Sequence, residues 1–315
     1  MTHFHKRPKI ALIGAGQIGG IMALLFAQKQ LGDIVLLDIP AMEGQAKGKA
    51  LDISEGRAID GYDAEILGTS NYDDVAGADV VVVTAGVPRK PGMSRDDLIG
   101  INLEITRDVA GNLKRVAPDA FVIVITNPLD AKVYAMQQLT GFPTNMVCGM
   151  AGVLDSARLR FFLADALDVS VSNVQALTLG GHGDTMVPLL SSAAVGGVPI
   201  TELLDADTLG AIVKRTRKAG GEIVGLLGNG SAFFSPAAAA VQMATAYLHD
   251  NKAVLPAAAY LNGEYGHSGF YLGVPTIIGA GGIERVIEVP LTAAEKDGVD
   301  TSAAAVSKLV NGIEL

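Results

Sequence analysis

The side chains able to do chemistry fall in short clusters. Thr178-Leu179-Gly180-Gly181-His182-Gly183-Asp184 presents one histidine in a glycine setting behind the β-like run Val174–Leu179. An imidazole held there can take up and release a proton near neutral pH; the alternative is an ordinary loop histidine. Asp155 and Arg158, in Gly152-Val153-Leu154-Asp155-Ser156-Ala157-Arg158, are three apart and so share one face of the helix expected to run through Leu167. They form either a surface ion pair or, given Val153, Leu154, Leu159, Phe161 and Phe162 around them, covered charges that need partners. His182 and a substrate anion are the obvious ones.

A further cluster lies near the start of the chain. Strand Lys9–Ile13 feeds Gly14-Ala15-Gly16-Gln17-Ile18-Gly19, followed by helix Gln17–Gln30 and strand Asp33–Asp38. This is the spacing of a dinucleotide-binding turn. Gly14 permits the tight turn, Gly16 lets backbone approach a pyrophosphate, and Gly19 allows helix and strand to pack closely. The helix N-terminus offers N–H groups to the anion. Asp38 would take the ribose hydroxyls, and its charge would repel a 2′-phosphate, so NAD is favoured over NADP. A glycine-rich turn without a ligand is the competing interpretation. Lys6, Arg7 and Lys9 before the apolar run Ile10–Ala27 imitate a secretory leader. Gly14, Gly16, Gly19 and Gly20 weaken that interpretation and divide the run into strand, turn and helix.

The elements that must position these clusters alternate. A helix over Gly44–Ile59, a strand near Glu65–Thr69, a strand Asp79–Thr84, a helix Ser94–Val116 ended by Pro118 and a strand Phe121–Thr126 are expected. Such alternation implies a parallel sheet with ligands at the carboxyl ends of its strands. Thr84-Ala85-Gly86 and Thr126-Asn127-Pro128 occupy such ends and should face the cofactor. Gly86-Val87-Pro88-Arg89-Lys90-Pro91-Gly92-Met93-Ser94-Arg95 is either a lid whose arginines suit planar carboxylates or a solvated basic loop.

Beyond about residue 149 the rhythm becomes mixed. Helices near Leu203–Leu227, Pro236–His249 and Ala293–Asn311 are expected, with strands Lys252–Tyr260, Tyr271–Ile278 and Ile283–Glu288. Ser235 is placed as the cap of the second helix, with Pro236 at its first position. The chain thus reads as α/β, a parallel-sheet domain over 1–148 followed by a mixed α+β substrate domain over 149–315.

Composition narrows the partners. The 315 residues carry a formal charge of -9, which opposes a nucleic-acid surface. No membrane role is expected and a small-molecule partner fits. Cys148 is the only cysteine, so no intrachain disulfide is possible. Its apolar neighbours imply a buried, inert thiol and a reducing compartment. His249 and His267 lack metal-ligand spacing, and no metal site is expected.

Taken in order, Ile13–Gly19 with Asp38, the loop Val87–Arg95, Ile125-Thr126-Asn127-Pro128, Leu154–Arg158 and Gly180–Asp184 resemble the lactate/malate dehydrogenase family over nearly the whole chain, and within it the lactate-dehydrogenase-like malate group. The resemblance implies a Rossmann-type first domain and reversible, NAD-dependent hydride transfer between (S)-malate and oxaloacetate, as in the tricarboxylic acid cycle. It implies that His182 accepts the hydroxyl proton while Asp155 orients it. Arg158 would clamp the carboxylate beside the reacting carbon, Arg95 polarise the carbonyl, and Asn127 hold substrate or the cofactor amide. Gly14, Ala15, Gly16, Gln17, Ile18, Gly19, Asp38, Asn102, Ile125, Thr126 and Asn127 would line the cofactor. Arg89 matches the position where malate enzymes carry the partner of the second carboxylate, and lactate enzymes an uncharged residue. The neighbourhood of Ser235 matches a substrate-pocket hydroxyl. A cytoplasmic homo-oligomer, tetramer or dimer, is implied. An L-lactate or other 2-hydroxy-acid dehydrogenase is the alternative; a non-catalytic nucleotide sensor would need only the first half.

Overall fold

The computed structural model describes residues 7–87, 95–228 and 230–315, with backbone alone for 95–98. The first half runs β1 (Lys9–Ile13), α1 (Gln17–Gln28), β2 (Asp33–Leu37), α2 (Glu43–Glu55), α3 (Arg57–Asp60), β3 (Ile66–Thr69), β4 (Val80–Val83), α4 (Arg95–Val116), β5 (Phe121–Val124), α5 (Leu129–Thr140) and β6 (Val147–Gly149). The strands lie in the order β3-β2-β1-β4-β5-β6 and all are parallel. The winding reverses between β1 and β4, which opens a crevice at their carboxyl ends.

Continuous apolar runs make these strands because both faces are covered. Ile10, Leu12, Val80, Val82, Phe121 and Ile123 enter one core, while Ala11, Ile13, Val81, Val83, Val122 and Val124 enter the other. This is the alternation that a strand's two-residue period demands.

The second half comprises α6 (Gly152–Leu167), β7 (Val174–Leu179), β8 (Val187–Val195), β9 (Val198–Pro199), α7 (Ala206–Leu227), α8 (Phe234–Leu248), β10 (Ala253–Asn262), β11 (Ser268–Gly279), β12 (Gly282–Val286) and α9 (Ala293–Asn311). Strands β7, β8 and β9 form a separate antiparallel sheet. A third core, with Leu159, Phe162, Val174, Ile200 and Leu209, packs between α6, α7 and this sheet. The other three strands extend the first sheet: Ala258 of β10 pairs antiparallel with Gly149 of β6, and β11 and β12 follow outward. The docked second domain expected from sequence therefore shares a nine-stranded sheet with the first, and its strands cover the edge that β6 would otherwise expose.

Several boundaries differ from expectation. The long second helix breaks at Gly56 into α2 and α3. Helix α7 starts at Ala206, where the Asp205 carboxylate accepts the Thr208 N–H at 2.9 Å and satisfies a first-turn donor. Helix α8 begins at Phe234 without a side-chain cap, so Ser235 lies within its first turn and does not cap it. Helix α5 and strands β6 and β8 were not anticipated. Helix α9 has the expected bounds, and Thr292 with Glu295 closes a capping box at its start. Cys148 is buried in β6, and burial pushes its thiol pKa up, as an inert structural cysteine requires.

Candidate active site

The glycine turn joins β1 to α1. Gly14 has φ +114°, and a Cβ there would collide with the Thr84 hydroxyl of the β4 end; one on Gly19 would collide with the Gly14 carbonyl. At Gly16 a Cβ would meet nothing within 4 Å, so this residue faces open space. Helix α1 starts from Gly16 with no side-chain cap, which leaves its first N–H groups without a side-chain acceptor. Asp38, at the carboxyl end of β2, accepts the Ala15 N–H at 2.7 Å and the Ile39 N–H at 2.8 Å. An acidic side chain thus sits against the turn. An open, glycine-lined helix start beside a strand-end carboxylate fits a dinucleotide.

Sequence reading did not find Lys49. From α2 its Nζ donates to the carbonyls of Ala15 at 2.7 Å and Gly16 at 2.8 Å, bracing the turn from outside. Burial lowers its pKa, and the Asp38 charge opposes the shift.

The ends of β4 and β5 meet beside this turn. Thr126 Oγ1 donates to the Ala85 carbonyl at 2.9 Å, and Ile125 is buried below it. Asn102 is fully buried: its Oδ1 accepts the Val87 N–H at 2.9 Å and its Nδ2 donates to Val87 O at 3.3 Å and Asn127 O at 3.2 Å. Its amide is spent on joining two backbone segments of the cleft. Asn127 is exposed at the carboxyl end of β5. The loop expectation at Arg89 lies outside the described residues, as does the Arg95 side chain.

The second-half residues converge from α6 and the β7–β8 connection. Asp155 Oδ2 accepts from His182 Nδ1 at 2.8 Å, and its Oδ1 accepts from Arg158 Nη1 at 3.1 Å. The three side chains are only 16%, 3% and 12% exposed for His182, Asp155 and Arg158, so of the two sequence interpretations the covered pair holds. A carboxylate can only accept, so Nδ1 carries the hydrogen and Nε2 is left as the acceptor. Arg158 Nε is buried with no partner among the described residues, while the side chain as a whole keeps 12% of its surface exposed, through which the guanidinium can meet a ligand carboxylate. Phe161, by contrast, is 55% exposed and does not cover the pair.

The histidine loop is pinned on several sides. Gly180 exchanges backbone hydrogen bonds with Gly273 of β11 at 2.8 and 3.2 Å. The Gly181 N–H donates to Ser302 Oγ of α9 at 2.8 Å, and the His182 N–H to Asp130 Oδ2 of α5 at 3.1 Å. Ser156 of α6 accepts the Thr178 N–H at 2.9 Å, tying β7 to the helix that carries Asp155. Burial alone would depress the His182 pKa. The charge and hydrogen bond of Asp155, with the Asp130 charge, outweigh burial and Arg158 and leave it raised.

Ser302 and Asp130 were also missed. A signal for Asp130 existed: Leu129, Val133, Met136 and Leu139 follow Pro128 at helical spacing. Nothing local marks Ser302 or Lys49, whose partners lie far away in the chain. No group of acidic, His or Cys side chains able to hold a metal occurs among the described residues, nor is any described helix long and apolar enough to cross a membrane.

Residues 8–149 match the family model described as lactate/malate dehydrogenase, NAD binding domain, and residues 152–314 match lactate/malate dehydrogenase, alpha/beta C-terminal domain. A malate dehydrogenase of Myxococcus xanthus is 57% identical over 309 residues, covering 98% of each chain. The crystal structure of Cryptosporidium parvum malate dehydrogenase superposes with a TM-score of 0.93 at 48% identity, over 97% of this chain and 98% of that one. A lactate dehydrogenase of the same organism, solved with lactic acid and nicotinamide adenine dinucleotide, also gives 0.93, at 45% identity over 98% of this chain and 99% of that one.

Proposed function

The chain belongs to the lactate/malate dehydrogenase family, and we propose that within it this protein is an NAD-dependent malate dehydrogenase, interconverting (S)-malate and oxaloacetate. The observation that carries the reading is the partly exposed Arg158 guanidinium held by the same Asp155 carboxylate that holds the His182 imidazole Nδ1. A carboxylate on Arg158 brings the adjacent hydroxyl carbon towards His182. The malate names of relatives near three-fifths identity support the substrate class.

Bound NAD would supply the hydride acceptor, held by the turn Gly14–Gly19, with Asp38 on its ribose and the strand ends at Ile125–Asn127 beside its nicotinamide. Loss of hydride from the hydroxyl carbon leaves a cationic carbonyl unless the hydroxyl proton departs too, so His182 Nε2 takes that proton. Asp155 fixes the tautomer and stabilises the imidazolium. Arg158 clamps the neighbouring carboxylate through parallel hydrogen bonds. Arg95 polarises the carbonyl in the reverse direction, and Asn127 orients substrate or cofactor amide. Asn102 acts by fixing the backbone at Val87 and Asn127.

Arg89 selects the dicarboxylate: a methyl in place of the second carboxylate would leave its charge unpaired in a closed site. The lactate dehydrogenase neighbour shares the fold, so the distinction rests on this side chain. The nucleotide and substrate halves divide at 148/149, close to the limits of the matched family models. The enzyme works as a cytoplasmic homo-oligomer, tetramer or dimer, of the tricarboxylic acid cycle; exposed Leu51 and Ile59 near the end of α2 and on α3 support association.

Steady-state NADH consumption with oxaloacetate and with pyruvate tests the reading. Oxaloacetate should be favoured in kcat/KM by about two decades or more. Preference for pyruvate makes the protein a lactate dehydrogenase, and NADH binding with no turnover of either makes it a sensor.

A further inference from the structure

Asp130 lies in the first turn of α5, three residues beyond Asn127, and is 7% exposed. Its Oδ2 accepts the His182 backbone N–H at 3.1 Å, while its Oδ1 is buried with no hydrogen-bond partner among the described residues. Gly181 leaves the space for this approach, since a Cβ there would stand 3.2 Å from Asp130 Oδ2. A buried carboxylate with one oxygen unsatisfied is a costly way to anchor a loop. The neighbouring N–H, of Gly181, is anchored by the uncharged Ser302 hydroxyl, so holding backbone does not by itself call for charge here. Stabilising a cation does.

The cation available is the imidazolium of His182. Among the described residues the charges acting on His182 are Asp155 and Arg158 from α6 and Asp130 from α5; those acting on Asp130 are His182 and Asp155. Arg158 opposes protonation of the imidazole, and the two carboxylates favour it.

We propose that Asp130 is a positioning residue of the reaction: it fixes the backbone of His182 and serves, alongside Asp155, as a second carboxylate that stabilises the protonated imidazole. The inference rests on the assignment of His182 as proton acceptor. The proton passes from the substrate hydroxyl oxygen to His182 Nε2 while the carbon bearing that hydroxyl gives up its hydride, for which bound NAD would be the acceptor; the charge so formed has Asp155 on its ring and Asp130 on the backbone of the same residue. In the reverse direction the imidazolium returns the proton to the carbonyl oxygen. Burial pushes the Asp130 carboxyl up to about 6, with His182 pulling it down and Asp155 pushing it up.

Asp130→Asn tests this, because the amide oxygen still accepts the His182 N–H while the charge is gone. The His182 imidazole should be titrated by NMR in wild type and variant, and kcat/KM measured against pH for malate oxidation and oxaloacetate reduction. Loss of a nearby negative charge makes the imidazolium less stable, so the NMR midpoint should move to lower pH. The acid limb of malate oxidation, which needs neutral His182, should move down with it. So should the alkaline limb of oxaloacetate reduction, which needs protonated His182.

An unmoved midpoint, or a loss of kcat/KM equal at every pH, overturns the role of Asp130 and leaves His182 untouched. A midpoint that moves while both limbs stay fixed removes His182 as proton acceptor, and this proposal with it. Should the variant not fold, Asp130→Ser, uncharged and shorter, takes its place: a midpoint moved to lower pH supports the role and an unmoved one overturns it.

Discussion

His182 and Arg158 are linked through one residue: Asp155 holds the imidazole Nδ1 at 2.8 Å with one oxygen and the guanidinium Nη1 at 3.1 Å with the other. The proposed anion clamp on α6 and the proposed proton acceptor on the β7–β8 connection are thus tied to one carboxylate of that helix. A carboxylate bound to Arg158 is placed relative to the imidazole by α6 rather than by a flexible loop.

Arg158→Lys keeps the charge and loses the planar fork. Asp155 would retain a cationic neighbour, but the second, parallel donor that a carboxylate needs would vanish. Steady-state kinetics should show kcat/KM for oxaloacetate reduced by about two decades, in line with about 2–5 kcal/mol for truncating a buried charged pair, with NADH affinity unchanged. A loss below about threefold would separate Arg158 from the substrate.

Arg89→Gln bears on which substrate is used rather than on whether the chemistry runs. The ratio of kcat/KM for oxaloacetate to that for pyruvate should fall by roughly two to three and a half decades, the equivalent of about 3–5 kcal/mol for one unpaired buried charge. An unchanged ratio assigns the second carboxylate to another group.

Asp38→Ser removes the carboxylate beside the glycine turn. Fluorescence titrations should show NADH binding weakened and NADPH binding weakened less or strengthened, because the repulsion of a 2′-phosphate goes with the charge. Equal losses would mean that Asp38 serves only to hold the Ala15 and Ile39 N–H groups it now accepts.

Lys132 supplies a pH-dependent test of the fold. It is 1% exposed on α5, donates to the Ala85 carbonyl at 2.9 Å, and burial pushes its ammonium down to about 7 from 10.5. The folded state therefore holds fewer protons than the unfolded chain between these values, and stability rises with pH across that window. Lys132→Met should raise the urea midpoint, most below about pH 7, and the gain should shrink as pH climbs towards 10.5. A gain that stays constant over that range would show that Lys132 keeps its proton in the folded protein and is not shifted by burial.

Much of this was legible in the chain itself, for definite reasons. The glycine turn announces itself because Gly14 and Gly19 answer steric demands and Gly16 leaves open space within one β-α-β unit, and Val80–Val83 reads as a strand because both its faces are buried. His182, Asp155 and Arg158 stood out as charged or titratable groups among glycines and apolar residues. What escaped is non-local. Strand β6 has three residues, too few for any period, and its antiparallel partner β10 starts at Ala253. Helix α5 was hidden behind Asn127-Pro128, read as loop, so Asp130 and Lys132 went unnoticed. Ser302 meets the histidine loop across 121 residues of sequence, a contact that no local pattern encodes.

The claim on which all else depends is that His182 carries the proton. The most direct measurement is on His182→Asn: oxaloacetate-dependent NADH oxidation alongside an NADH fluorescence titration of the same preparation. Turnover should drop by roughly 10²–10⁴-fold, the usual contribution of a positioned general base, while the NADH dissociation constant stays within about twofold. Turnover near the wild-type rate with intact NADH binding would place the proton transfer on another residue.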